Sequence, residues 1–134
     1  MDWSEDTMNA RLQHVSIPRP PGSDAKARAF FGDLLGLQEI PAPASLQGMD
    51  VIWFKVGEDA ELHLFREDPL NDPSIRHFCL VVDDLPGMRR KLSDAGYAPY
   101  DVERIPGRPR FFCRDPFDNI IEFTTIAGDY LALQ

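Results

Sequence analysis

The hydrophobic pattern of the chain runs through one cycle and then repeats it. Residues 12–17 alternate apolar and polar side chains, which predicts a strand. A Pro- and Gly-rich turn follows over 18–22, with Ser23 placed as a helix N-cap. Ala27, Phe30, Phe31, Leu34 and Leu35 recur at helical spacing and predict one apolar helix face, with Gly36 as its stop. Three short strands are expected next, over 37–40, 50–56 and 61–65. The second cycle opens with a strand over 76–82. Asp84 then caps a helix whose apolar face is Leu85, Met88, Leu92 and Ala95, and Gly96 ends it. Strands over 99–103, 108–114 and 119–126 complete it.

The order is βαβββ twice, which predicts an α+β fold built from two tandem modules. The expected layout is a polar lead-in at 1–10, a first module at 11–66, a linker at 67–75, a second module at 76–127 and a tail at 128–134. Each module is too short to bury a core alone, so the two must share apolar surface.

Strand parity separates two faces. Val15 and Ile17, Leu62 and Leu64, Phe78 and Leu80, and Ile121 and Phe123 lie on the faces expected against the helices. The opposite face carries His14, His63, His77 and Glu122, one from each of four strands, and these include all three histidines of the chain. Parity adds Trp53 and Phe112 to this face as substrate-lining candidates, with Arg110 as an anion-binding candidate.

Imidazole nitrogen and carboxylate oxygen suit a divalent ion such as Zn, Ni, Fe or Mn. Such an ion could polarise a bidentate substrate. A reading without metal stays open, because Glu122 needs a cation partner and Arg108 or Arg110 could be that partner.

Composition narrows the partners. Of 134 residues, 43% are hydrophobic and 27% charged, as in an ordinary folded domain. A net charge of −8 argues against nucleic acid, whose phosphates require clustered Lys and Arg. The apolar runs fall far short of the roughly 20 residues of a membrane span, and the acidic N-terminus lacks a signal-peptide core. Cys79 and Cys113 read as buried thiols, so a cytoplasmic protein is expected.

Four stretches carry a family resemblance. The histidine strand at 12–17 with Ala29-Phe30-Phe31-Gly32-Asp33-Leu34-Leu35-Gly36-Leu37, the strand Glu61-Leu62-His63-Leu64-Phe65, the start of the second module Arg76-His77-Phe78-Cys79-Leu80-Val81-Val82, and the closing Asp115-Pro116-Phe117-Asp118-Asn119-Ile120-Ile121-Glu122-Phe123 resemble the vicinal oxygen chelate superfamily. That superfamily includes glyoxalase I, bleomycin- and fosfomycin-resistance proteins and extradiol dioxygenases. The resemblance spans about residues 11–126. It implies a cupped eight-stranded mixed sheet with helices on its outer face, a divalent metal held by His14, His63, His77 and Glu122, and in many members a homodimer. Two departures stand out. Asp118 occupies a position usually held by Gly, where Asp tolerates the left-handed turn, and His63 stands where glyoxalase I carries Glu.

The expected function is a metal-dependent lyase or isomerase acting on a small oxygenated molecule, with Glu122 as general base. An extradiol-type dioxygenase using His14, His77 and Glu122 is one alternative. A metal-free antibiotic-binding protein is another.

Overall fold

The computed structural model describes residues 12–46, 48–70 and 76–125. The expected lead-in at 1–10, most of the linker and the tail at 128–134 lie outside the described residues.

The first module comprises β1 (His14–Arg19), α1 (Asp24–Ala27), a π-helical continuation (Arg28–Leu34), β2 (Gln38–Ile40), a 3-10 turn (Ala44–Leu46), β3 (Val51–Val56) and β4 (Ala60–Arg66). The second comprises β5 (His77–Val81), α2 (Leu85–Asp94), β6 (Arg110–Arg114) and β7 (Ile120–Thr124).

The strands form a four-stranded sheet in the order β1-β4-β3-β2 and a three-stranded sheet in the order β5-β7-β6. In both, the first strand lies parallel to the last, and the last is antiparallel to its predecessor. The repeat expected from the sequence is therefore real. The described residues form two sheets, where one eight-stranded cupped sheet was expected. The strand expected over 99–103 is reduced to one antiparallel bridge, with Tyr100 N–H donating to Phe112 O at 2.8 Å and Phe112 N–H to Tyr100 O at 3.0 Å. Pro99 has no N–H to extend that ladder, and Pro106 and Pro109 punctuate the segment beyond it.

One core serves both modules. Phe30 and Phe31 of the first helical segment, Ile52 and Phe54 of β3, Leu62 and Leu64 of β4, Leu92 of α2, Phe111 of β6, and Ile121 and Phe123 of β7 are all buried in it. Phe30 meets Tyr97 of the second module edge to face at 4.9 Å. Each such side chain contributes about 1.5–3 kcal/mol on burial, so neither half is expected to keep its fold without the other.

The caps differ in kind. Asp84 accepts a hydrogen bond from Gly87 N–H at 3.0 Å, as expected for the start of α2. Ser23 makes no such cap. Its hydroxyl donates instead to Pro20 O at 2.6 Å and accepts from the buried Arg19 guanidinium at 3.3 Å. Arg19, at the end of β1, is fully enclosed and also bonds Asp24 and Asp50. Gly36 (φ 76°) and Asp118 (φ 69°) both adopt the left-handed conformation that their turns require. No helix among the described residues is long and apolar enough to cross a membrane.

Candidate functional site

The side chains proposed from strand parity do share the face opposite the core, but they gather in two groups.

The first group lies on the four-stranded sheet. Leu62 and Leu64 turn into the core, which forces His63 between them to the other face. His63 lies directly across from Trp53 in the antiparallel register, and the two rings stack at 3.7 Å with an interplanar angle of 9°. On its other side His63 stacks on His14 at 4.3 Å. The three rings form a column running from β3 through β4 to β1. His63 Nε2 is 2.8 Å from Glu61 Oε1, and His14 Nδ1 is 2.6 Å from Gln13 Oε1. The contact with His63 is the main influence holding the Glu61 carboxyl below its ordinary range. His14 is exposed at the start of β1.

The second group lies on the three-stranded sheet and centres on Glu122, which is 3% exposed. His77 Nε2 is 3.2 Å from Glu122 Oε1. Arg108 donates to Glu122 Oε2 at 3.0 Å, and Arg110 donates to Oε1 at 3.4 Å. Arg110 also donates to Glu103 O at 2.9 Å, and its Nε–H is buried without a hydrogen-bond partner among the described residues. Phe112 floors the group, its ring 4.7 Å from that of His77 and 5.6 Å from the Arg110 guanidinium carbon. The need of Glu122 for a cation, legible in the sequence, is thus met by both arginines proposed for it.

Cys79 belongs to this group and corrects an expectation. Cys113 is buried in the core, and burial pushes its thiol up to about 11. Cys79 instead is exposed beside Glu122, with Arg108 Nη2 3.6 Å from its sulfur. Parity already put Cys79 on the His77 face, and that signal outweighs the general tendency of thiols to be buried. Crowding around the sulfur raises its pKa above the ordinary thiol value, and the Arg108 contact partly offsets this.

Does the donor set fit a divalent ion? Among the described residues no three His, Cys, Asp or Glu side chains come together as a metal site would require. His63 is held flat between two rings with Nε2 turned to Glu61. Glu122 already carries two guanidinium groups, whose charge opposes a dication at the same carboxylate. Within one chain, then, His14, His63, His77 and Glu122 do not form a fitting metal centre.

A cleft of about 530 Å³ opens where β1 of one module faces β5 and β7 of the other, lined by Val15, Ile17, Phe65, His77, Phe117 and Ile120. His77 joins this cleft to the Glu122 group. Asn119, at the cleft rim, donates from Nδ2 to Pro18 O at 3.1 Å across the modules. Sequence reading named Asn119 only as part of a motif; a side chain that bridges two modules has no local signature.

The βαβββ first module, its three-stranded counterpart in the second, the shared core and the polar face opposite it define a small-molecule-binding fold. The sequence model of the glyoxalase/bleomycin resistance protein/dioxygenase superfamily matches residues 11–123, and the chain belongs to that superfamily, the vicinal oxygen chelate superfamily of the sequence analysis. A protein assigned to the glyoxalase family from Bacillus anthracis is 31% identical, with 91% of this chain and 99% of that one covered and a TM-score of 0.83. The fold is also shared with a glyoxalase/dioxygenase from Nostoc punctiforme, at 20% identity, coverage of 88% and 92%, and a TM-score of 0.71. The fosfomycin resistance protein FosX from Listeria monocytogenes shares it too, at 13% identity, coverage of 92% and 96%, and a TM-score of 0.73. No curated protein matches the chain.

Proposed function

We propose that the chain acts on a small oxygenated carbonyl compound bound against the Glu122 face, by acid–base chemistry of the isomerase or lyase type. One observation carries this reading: a buried carboxylate shared by an imidazole and two guanidinium groups. Glu122 orients the imidazole of His77, which lines the cleft and is the more accessible of the two. His77 takes a proton from the carbon beside the substrate carbonyl. The electron pair of that C–H bond becomes a carbon–carbon double bond and the carbonyl π pair moves onto oxygen, where the arginines stabilise the developing charge. In an isomerisation the proton of the hydroxyl on the deprotonated carbon passes to that oxygen, the new carbonyl forms at the deprotonated carbon, and His77 returns its proton to the former carbonyl carbon. Phe112 would shape an apolar wall of this ligand site, whereas Trp53 stacks on His63 in the other group.

The test is deuterium exchange from heavy water into dihydroxyacetone, followed by NMR with a chelator present. The parent protein exchanges the carbon-bound protons, and His77→Gln slows this by about a hundredfold or more. Exchange absent from the parent, or unchanged in His77→Gln, would remove the proposal.

A second reading keeps the metal. Each module contributes half of the donor set from equivalent strands, His14 with His63 and His77 with Glu122. In a homodimer, the half-set of one copy could complete that of the other around Zn, Ni, Fe or Mn. Metal content measured alongside oligomeric state tests this: stoichiometric metal found only in the dimer, and lost from His77→Ala/Glu122→Ala, supports it. Oxygen uptake with a catechol would favour the dioxygenase form. Tight ligand binding with no turnover would favour a binding or resistance protein.

A further inference from the structure

We propose that Arg110 makes the Glu122 face a receptor for the carboxylate of a small hydroxy or oxo acid, and that this binding needs no metal. The inference rests on the acid–base reading of the same site and names its ligand class.

One carboxylate serves two guanidinium groups here, and it serves them unequally. Arg108 holds Glu122 at 3.0 Å, whereas Arg110 reaches it only at 3.4 Å. The other bond of Arg110 goes to the neutral carbonyl of Glu103, and its Nε–H has no partner among the described residues. Arg110 Nε is enclosed, but each Nη carries a second hydrogen beyond those given to Glu122 and Glu103, so Arg110 keeps charge and Nη donors for a ligand. Its side chain is 17% exposed, so a ligand can reach it while its field stays poorly screened by water. Charge of this sign stands out in a chain of net charge −8. It repels a dication and attracts an oxyanion.

Shape selects the kind of oxyanion. The Arg110 guanidinium lies over the Phe112 ring, and the His77 ring is tilted against the same ring. These flat walls already hold one planar carboxylate, that of Glu122. A carboxylate and a phosphate both match the guanidinium fork, but only the planar carboxylate also lies flat along the ring floor. With its carboxylate at Arg110, a short hydroxy acid or oxo acid presents its adjacent carbon towards His77.

The experiment is calorimetric titration of the full chain with glycolate, its neutral analogue glycolamide and inorganic phosphate, all with a chelator present. Glycolate binds saturably, and glycolamide and phosphate bind at least about tenfold more weakly, because the amide lacks the charge-assisted fork and tetrahedral phosphate cannot lie flat along the ring floor. Arg110→Gln weakens glycolate by about tenfold or more. Glu122→Gln strengthens it, because the competing negative charge is gone. Arg89→Gln, on α2 and paired with Asp101, leaves it unchanged. Arg110→Gln keeps Glu122 bonded to His77 and Arg108, so it carries the test by itself if Glu122→Gln does not fold. Phosphate binding as tightly as glycolate, glycolate binding only after zinc is added, or indifference to Arg110→Gln would each overturn the proposal. Glycolate binding without deuterium exchange removes the acid–base reading and leaves the ligand class standing. Exchange without glycolate binding does the reverse.

Discussion

Asn119 of the second module donates its side-chain amide to the main-chain carbonyl of Pro18 in the first, at 3.1 Å. The same Nδ2 also donates to Asp115 Oδ2 at 2.8 Å. Asn119→Ala removes both bonds and leaves two acceptors to find new partners. A loss of about 2 kcal/mol is expected, read as a lower midpoint in urea unfolding with an unchanged slope. A variant as stable as the parent would show that the bridge does not couple the modules.

Asp115 sets a pH dependence of stability. Burial pushes its carboxyl from 3.8 up to about 6, outweighing the hydrogen bonds it accepts from Phe117 N–H, Asn119 N–H and Asn119 Nδ2. Because the folded value is the higher one, the folded state binds the extra proton. The contribution is complete below pH 3.8 and is lost as pH rises through about 6. Its ceiling is about 3 kcal/mol. Asp115→Asn should flatten the stability profile across this window, as measured by urea unfolding at a series of pH values. A profile as steep as the parent's would assign the dependence to other groups.

Asp118 holds a left-handed conformation at φ 69°. Asp tolerates it, but glycine adopts it at lower cost. Asp118→Gly should therefore stabilise the fold by about 0.5–1 kcal/mol, raising Tm. It should also relax the upward push on Asp115, to which the Asp118 charge contributes. A lowered Tm would mean that the Asp118 side chain is stabilising in its own right.

The two thiols should react in sequence. Cys79 is exposed, and Cys113 is enclosed in the core with its pKa near 11. Native protein treated with iodoacetamide should gain one adduct, at Cys79, and unfolded protein two, by mass spectrometry. Equal labelling of both in native protein would contradict the core position of Cys113.

Much of this architecture could be read before any coordinates. A strand's two faces follow from a period of two, which is a local property, so the outward placement of His63 between Leu62 and Leu64 was legible. So were the repeat, the left-handed Asp118 and the dependence of Glu122 on Arg108 or Arg110. The convergence of the donors was not. Whether the His14–His63 pair meets His77 and Glu122 depends on how two modules dock, and no periodicity along the chain encodes that. The strand expected over 99–103 is reduced to the Tyr100–Phe112 bridge, since Pro99 has no N–H to extend it. The flat clamping of the His63 ring also escaped, since it depends on Trp53 lying across from it in register.

Arg19 has a mechanical consequence. A guanidinium wholly shut away from solvent, bonded to Ser23, Asp24 and Asp50, cannot release one of those partners in place without leaving unpaired charge in an interior that solvates it poorly. It pins the far end of β1 to the helix start and to the loop entering β3. Pro18, the residue that Asn119 bonds across the modules, sits next to this pin, so the β1 wall of the cleft is the anchored one and a ligand that widens the cleft would displace the Asn119 side.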